Sequence, residues 1–126
     1  MNLDNKPVLF LVEDNLAYKI LVARMLEKEG FRVIMLDDGN HAIRMFEDIT
    51  PDIILSDIEM PGLDGFSMKE KIHELYPNIQ VPIIYFSSTQ EKHVIDKANY
   101  LGTDLLIKKP VQQQNLSRTL FSILNG

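Results

Sequence analysis

Two periods alternate along the chain, with short continuous apolar runs separated by longer segments whose apolar residues recur at helical spacing. The strand-length runs are Val8 to Val12, Arg32 to Leu36, Ile53 to Ser56, Ile83 to Phe86 and Asp104 to Ile107. Four of the five are apolar on both faces, which suits strands covered by helices on each side. Between the first two runs, Ala17, Leu21, Val22, Met25 and Leu26 predict the inner face of a helix, and Lys19, Arg24, Glu27 and Lys28 its outer face. Gly30 ends that helix as a C-cap glycine does. Ala42, Ile43, Phe46 and Ile49 stripe a second helix before Pro51, and Met68, Ile72 and Leu75 a third before Pro77. A fourth is expected from Glu91 to Leu101 before Gly102. A last one carries Leu116, Leu120, Ile123 and Leu124 before Asn125-Gly126. Strand and helix alternating in this way predict an α/β fold, a single open doubly wound parallel sheet whose ligand crevice lies beyond the carboxyl ends of the strands.

Charged and hydroxyl residues concentrate at those ends. Glu13 and Asp14 follow the first strand and Asp57 follows the third. If the two strands are neighbours, three carboxylates converge and repel, and a hard divalent cation such as Mg²⁺ would relieve the repulsion. Helix capping by Asp14 or Asn15 is the plainer reading of that position. It explains neither Glu13 nor the meeting with Asp57. After Asp57 comes Ile58-Glu59-Met60-Pro61-Gly62-Leu63-Asp64-Gly65, whose Pro61, Gly62 and Gly65 demand a loop that leaves the Asp57 carboxylate facing the crevice. An ionised aspartate needs no general base to act as a nucleophile, and a phosphoryl group beside a cation is its natural electrophile. Ser87, Ser88 and Thr89 end the fourth strand. Ser88 and Thr89 suit helix capping as well as chemistry, whereas Ser87 can hydrogen-bond a phosphoryl oxygen. Lys109, before Pro110, can pair with carboxylates and phosphoryl oxygens, while Lys108 should point the other way.

Composition narrows the options. With 126 residues the chain is the size of one domain, taken as 1–126, and 45% hydrophobic with 25% charged residues is a globular balance that argues against disorder. A net charge of -5 without a basic block makes nucleic acid an unexpected partner. No stretch approaches the roughly 18 to 20 apolar residues of a membrane span, and Met1 to Lys6 lacks the parts of a signal peptide, so no membrane partner and a cytoplasmic location are expected. Zero cysteines exclude disulfides, thiolate ligands and a cysteine nucleophile.

Taken in order, Val12-Glu13-Asp14-Asn15, the Asp57 to Gly65 segment, Pro82-Ile83-Ile84-Tyr85-Phe86-Ser87-Ser88 and Lys109-Pro110 make the chain resemble the receiver domain of two-component response regulators, of the chemotaxis-regulator type. The resemblance spans Lys6 to about Leu124 and implies a flavodoxin-like (βα)5 sheet with strand order 2-1-3-4-5. It implies that Asp57 is the phosphoacceptor, taking a phosphoryl group from a histidine kinase or a histidine phosphotransfer protein, and that the signal passes to a downstream protein. Mg²⁺ would be held by Asp14 directly, Glu13 through water, Asp57, and the Glu59 main-chain carbonyl; Ser87 and Lys109 would hold phosphoryl oxygens. Glu59 and Thr89 would tune the decay of the phosphoryl group, a cis Lys109-Pro110 bond would aim Lys109, and Leu16, Ala17 and Ile20 would form the kinase-docking surface.

Two positions depart from the family pattern. Leu106 stands where an aromatic switch residue is common, so the signal is expected to pass through the loop after Ser87 and the helix from Glu91 to Leu101. Leu101 stands where a small residue is usual; like Tyr100 and Phe121 it suits core packing first and a partner surface second. Three other readings compete with this one. A haloacid-dehalogenase-like phosphatase needs a second Asp where Glu59 stands, and a cap for which no insertion is long enough. A flavodoxin-like flavin binder would set Glu13-Asp14 against a phosphate. A degenerate, unphosphorylated docking module would not need the complete residue set.

Overall fold

The computed structural model describes residues 5–87 and 105–126; the expectations for Ser88, Thr89, Tyr100, Leu101, Asp104 and the helix from Glu91 to Leu101 lie outside the described residues, as does the Lys108 side chain. Five strands, β1 (Val8–Val12), β2 (Arg32–Leu36), β3 (Ile53–Asp57), β4 (Ile83–Ser87) and β5 (Leu105–Lys108), form one sheet in the order β2-β1-β3-β4-β5. All four pairings are parallel. Parallel neighbours cannot be joined by a hairpin, and the described crossovers run through α1 (Leu16–Lys28), α2 (Gly39–Met45) and α3 (Gly65–Leu75), with a C-terminal helix α4 (Gln113–Asn125) after β5. The chain winds outward from β1 in both directions, which puts the topological switch point between β1 and β3. This is the flavodoxin-like order that the resemblance implied.

Side chains alternate across the sheet and divide the core in two. Phe10, Val12, Ile54 and Tyr85 pack with Phe46, Phe66, Met68 and Ile72 on the α2 and α3 side. Leu9, Leu11, Leu55 and Phe86 pack with Val22, Leu26, Leu116 and Leu120 on the α1 and α4 side. Phe121 belongs to this second half, its ring 4.5 Å from that of Phe31, so core packing is its role. At the end of α1 the Gly30 N–H donates to Glu27 O (3.2 Å) and the Phe31 N–H to Leu26 O (3.1 Å). That paired closure requires the left-handed φ of 100° at Gly30.

Helix rotation differs from the expected pattern in places. The buried face of α1 consists of Lys19, Val22, Ala23 and Leu26, an i, i+3, i+4, i+7 stripe, whereas Ala17 and Leu21 are exposed. Lys19, expected in solvent, lies inside because its aliphatic stem covers apolar surface while its ammonium reaches the Asp37 carboxylate. In α3, Leu75 is exposed; the next residue, Tyr76, takes the core position and stacks on Phe46 with centroids 5.3 Å apart. Helix α2 ends at Met45 instead of running to Ile49, because Glu47 N–H and Asp48 N–H donate three residues back and tighten the chain ahead of Pro51.

Candidate functional site

Strand register places the acids. Val12 pairs with Ser56, so the next residues, Glu13 and Asp57, leave adjacent strands at the same height. Asn15 is the N-cap of α1, its side chain accepting from the Tyr18 N–H at 2.9 Å. Asp14 is thereby spared the capping role, and one carboxylate oxygen each from Glu13, Asp14 and Asp57 lies within 4.8 Å of the others. Glu13 is 1% exposed and Asp57 7%, while Asp14 faces solvent. One Glu13 oxygen accepts from Asn15 N–H (3.2 Å) and the other from Lys109 Nζ (2.7 Å). Asp57 Oδ1 accepts from Ile58 N–H (2.9 Å), and Oδ2 stands 3.3 Å from Lys109 Nζ.

Burial is the main force on Asp57, pushing its pKa up to about 6; the Glu13 charge adds to the rise, and Lys109 with the Ile58 N–H opposes it. On Lys109, burial pulls the pKa down, but the Glu13 hydrogen bond and the Asp57 and Glu13 charges outweigh it and leave the net shift upward. The ammonium therefore stays charged between two buried carboxylates. All the converging donors are oxygens, with no thiolate or imidazole among them, which is the donor chemistry of a hard divalent cation.

The loop behind Asp57 is fastened into the core. Ile58 and Met60 are buried, Gly65 N–H donates to Ile58 O (2.8 Å), and Asp64 caps α3 by accepting from Ser67 N–H (2.7 Å). A Cβ at Gly65 would stand 2.7 Å from Asp57 O and 2.8 Å from Tyr85 Cε1, so only glycine lets α3 start this close to β3. Glu59 lies in this loop with an exposed side chain, and its carboxylate is not part of the three-acid cluster. Ser87 is buried as the last residue of β4, and its carbonyl accepts from Lys109 N–H (3.0 Å). The Lys109-Pro110 bond is cis, as the resemblance implied. Leu106 is partly buried against the α2 and α3 half of the core. Leu16 and Ala17 are exposed and Ile20 half-buried on α1.

Two residues near the site escaped the sequence reading. The rings of Tyr18 and Phe86 stack with centroids 5.7 Å apart, and Lys109 Nζ lies 4.8 Å from each centroid. Strand alternation assigns Phe86 to the face opposite Tyr85, but nothing in the spacing connects either ring with Lys109.

The response regulator receiver domain family model matches residues 9–121. The chain is 30% identical over 122 residues to the autoinducer 1 sensor kinase/phosphatase LuxN of Vibrio campbellii, covering 97% of this chain and 14% of that protein. It is 25% identical over 118 residues to protein PilH of Pseudomonas aeruginosa, covering 94% of this chain and 98% of PilH. The receiver domain of sensor histidine kinase PA1611 from Pseudomonas aeruginosa PAO1, solved with a magnesium ion coordinated in its active site cleft, superposes with a TM-score of 0.86 at 29% identity over 96% of this chain and 99% of that one. Among the described residues no helix is long and apolar enough to cross a membrane. With the sheet order, the three-acid cluster and the family match in agreement, this chain belongs to the response regulator receiver domains of two-component systems, a family of signalling modules.

Proposed function

We propose that residues 1–126 act as one phosphoacceptor receiver domain in the cytoplasm, with Asp57 taking a phosphoryl group from the phosphohistidine of a histidine kinase or phosphotransfer protein. The observation that carries this reading is the meeting of Glu13, Asp14 and Asp57 oxygens within 4.8 Å, beside a lysine ammonium 3.3 Å from Asp57. The oxygen-only donor set fits Mg²⁺, held by Asp14, Asp57, the Glu59 main-chain carbonyl and, through water, Glu13. Bound there, the ion would neutralise charge on the transferring oxygens. The chain supplies the rest. An Asp57 carboxylate oxygen forms the bond to phosphorus as the phosphorus–nitrogen bond of the donor breaks, and the bond's electron pair leaves with the imidazole. Ile58 N–H holds the other Asp57 oxygen and so fixes the carboxylate plane. Lys109 and the Ser87 hydroxyl hold phosphoryl oxygens after transfer. Glu59 tunes hydrolysis of the acyl phosphate, and a downstream protein reads the phosphorylated state.

Incubation with Mg²⁺ and acetyl phosphate, followed by intact mass measurement, tests the reading. A phosphoryl adduct on the wild type, lost in Asp57→Asn and in chelator, is expected. A wild type that never gains the adduct would overturn the proposal in favour of an unphosphorylated docking module.

A further inference from the structure

Lysine is a flexible side chain and loses rotamer entropy when one position is demanded of it. Lys109 is held to one position, 2.7 Å from Glu13 and 3.3 Å from Asp57. Both of those contacts act on the ammonium alone. Two aromatic rings lie beside it as well. Tyr18 and Phe86 stack nearly parallel, 25° apart, and the ammonium lies 4.8 Å from both centroids. Phe86 is fully buried in β4 and serves as the floor, while Tyr18 comes from the first turn of α1, placed there by the Asn15 cap. The Tyr18 hydroxyl then accepts from Val111 N–H at 3.3 Å, two residues beyond Lys109. One side chain thus touches the lysine through its ring and the following backbone through its oxygen.

We propose that Tyr18 is a positioning residue that clamps Lys109 at the phosphoryl-binding position, the ring by cation–π attraction and the hydroxyl by tethering Val111. This rests on the phosphoacceptor reading for its functional consequence, though not for the contact itself. The ring supplies most of the effect, because the ammonium lies against it directly and the hydroxyl acts one step removed. Tyr18→Phe should therefore keep most of the function, and Tyr18→Leu should lose it.

Two measurements test the clamp. In metal-free protein, ¹H–¹³C NMR should show the Lys109 ε-methylene protons shifted upfield by ring currents, the resonance being assigned by its loss in Lys109→Arg. Tyr18→Leu should move it back toward ordinary lysine, and Tyr18→Phe should leave it in place. In the acetyl phosphate assay, Tyr18→Leu should slow adduct formation by about tenfold and Tyr18→Phe by less than about threefold. Because the effect runs through the lysine, Tyr18→Leu should add nothing in a Lys109→Ala background. If Tyr18→Leu does not fold, Tyr18→Met is read in the same way. An unmoved Lys109 resonance, or equal slowing with and without the lysine, overturns the clamp even if the wild type is phosphorylated. A resonance that moves in a protein never phosphorylated upholds the clamp and defeats the functional reading.

Discussion

Two lysines, Lys19 buried and Lys109 partly buried, meet their acids beyond the strand ends in opposite surroundings. Lys19 reaches Asp37, just past β2, whose side chain is 72% exposed. Lys109 reaches Glu13 and Asp57, both of which are buried. At the first pair water can replace the lysine, so the main consequence is that the Lys19 hydrogen bond and charge hold the Asp37 carboxyl below its ordinary value. At the second, no other cationic side chain among the described residues is paired with the two acids, and without the lysine they would be left in a poorly solvated place. The surroundings of the acid, more than the presence of an ion pair, separate a site built for charge chemistry from an incidental contact.

The largest expected effect breaks the second region. Lys109→Met should destabilise the chelator-treated protein by about 3 kcal/mol in urea unfolding, with Mg²⁺ restoring much of the loss. If the variant matches the wild type in chelator, the charges are better solvated than their burial implies. Next is Gly65→Ala, whose added methyl meets Asp57 O and Tyr85. A cost of about 2 kcal/mol and slower adduct formation are expected, without any change at Asp37.

A smaller effect follows pH. With its folded pKa raised to about 6 from an ordinary 3.8, Asp57 binds its proton more tightly in the native state than in the unfolded one. Its stabilising contribution is present below the unfolded value and is lost as pH rises through about 6. The melting temperature in chelator should carry a falling component over that window, which Asp57→Asn removes. At neutral pH that variant should melt a few degrees higher, on the order of 3–6 °C. The smallest effect belongs to the first region. Lys19→Met should leave the melting temperature within about 2 °C of wild type, and the Asp37 carboxyl, followed by ¹³C NMR, should titrate at higher pH than before.

How far these features were legible differs from residue to residue. Strand identity was read to within a residue, since short unbroken apolar runs such as Ile53 to Leu55, bounded by polar and proline residues, suit a strand covered on both faces. The convergence of Glu13, Asp14 and Asp57 was legible in two steps: parallel βα winding sends every strand's carboxyl end to one edge, and the strand order implied by the family resemblance makes β1 and β3 neighbours. The sequence by itself therefore determined the architecture and which residues stand at the crevice. Tertiary structure decided how each helix is turned against the sheet, putting Lys19 inside and leaving Leu21 and Leu75 outside, because a helical period defines a stripe only to within a broad arc and packing chooses its centre. It also decided the partners of Lys109, which meets Glu13 across 96 residues, while neighbouring Val111 meets Tyr18 across 93. Contacts of that range depend on where the folded chain returns in space, and local spacing carries no record of it.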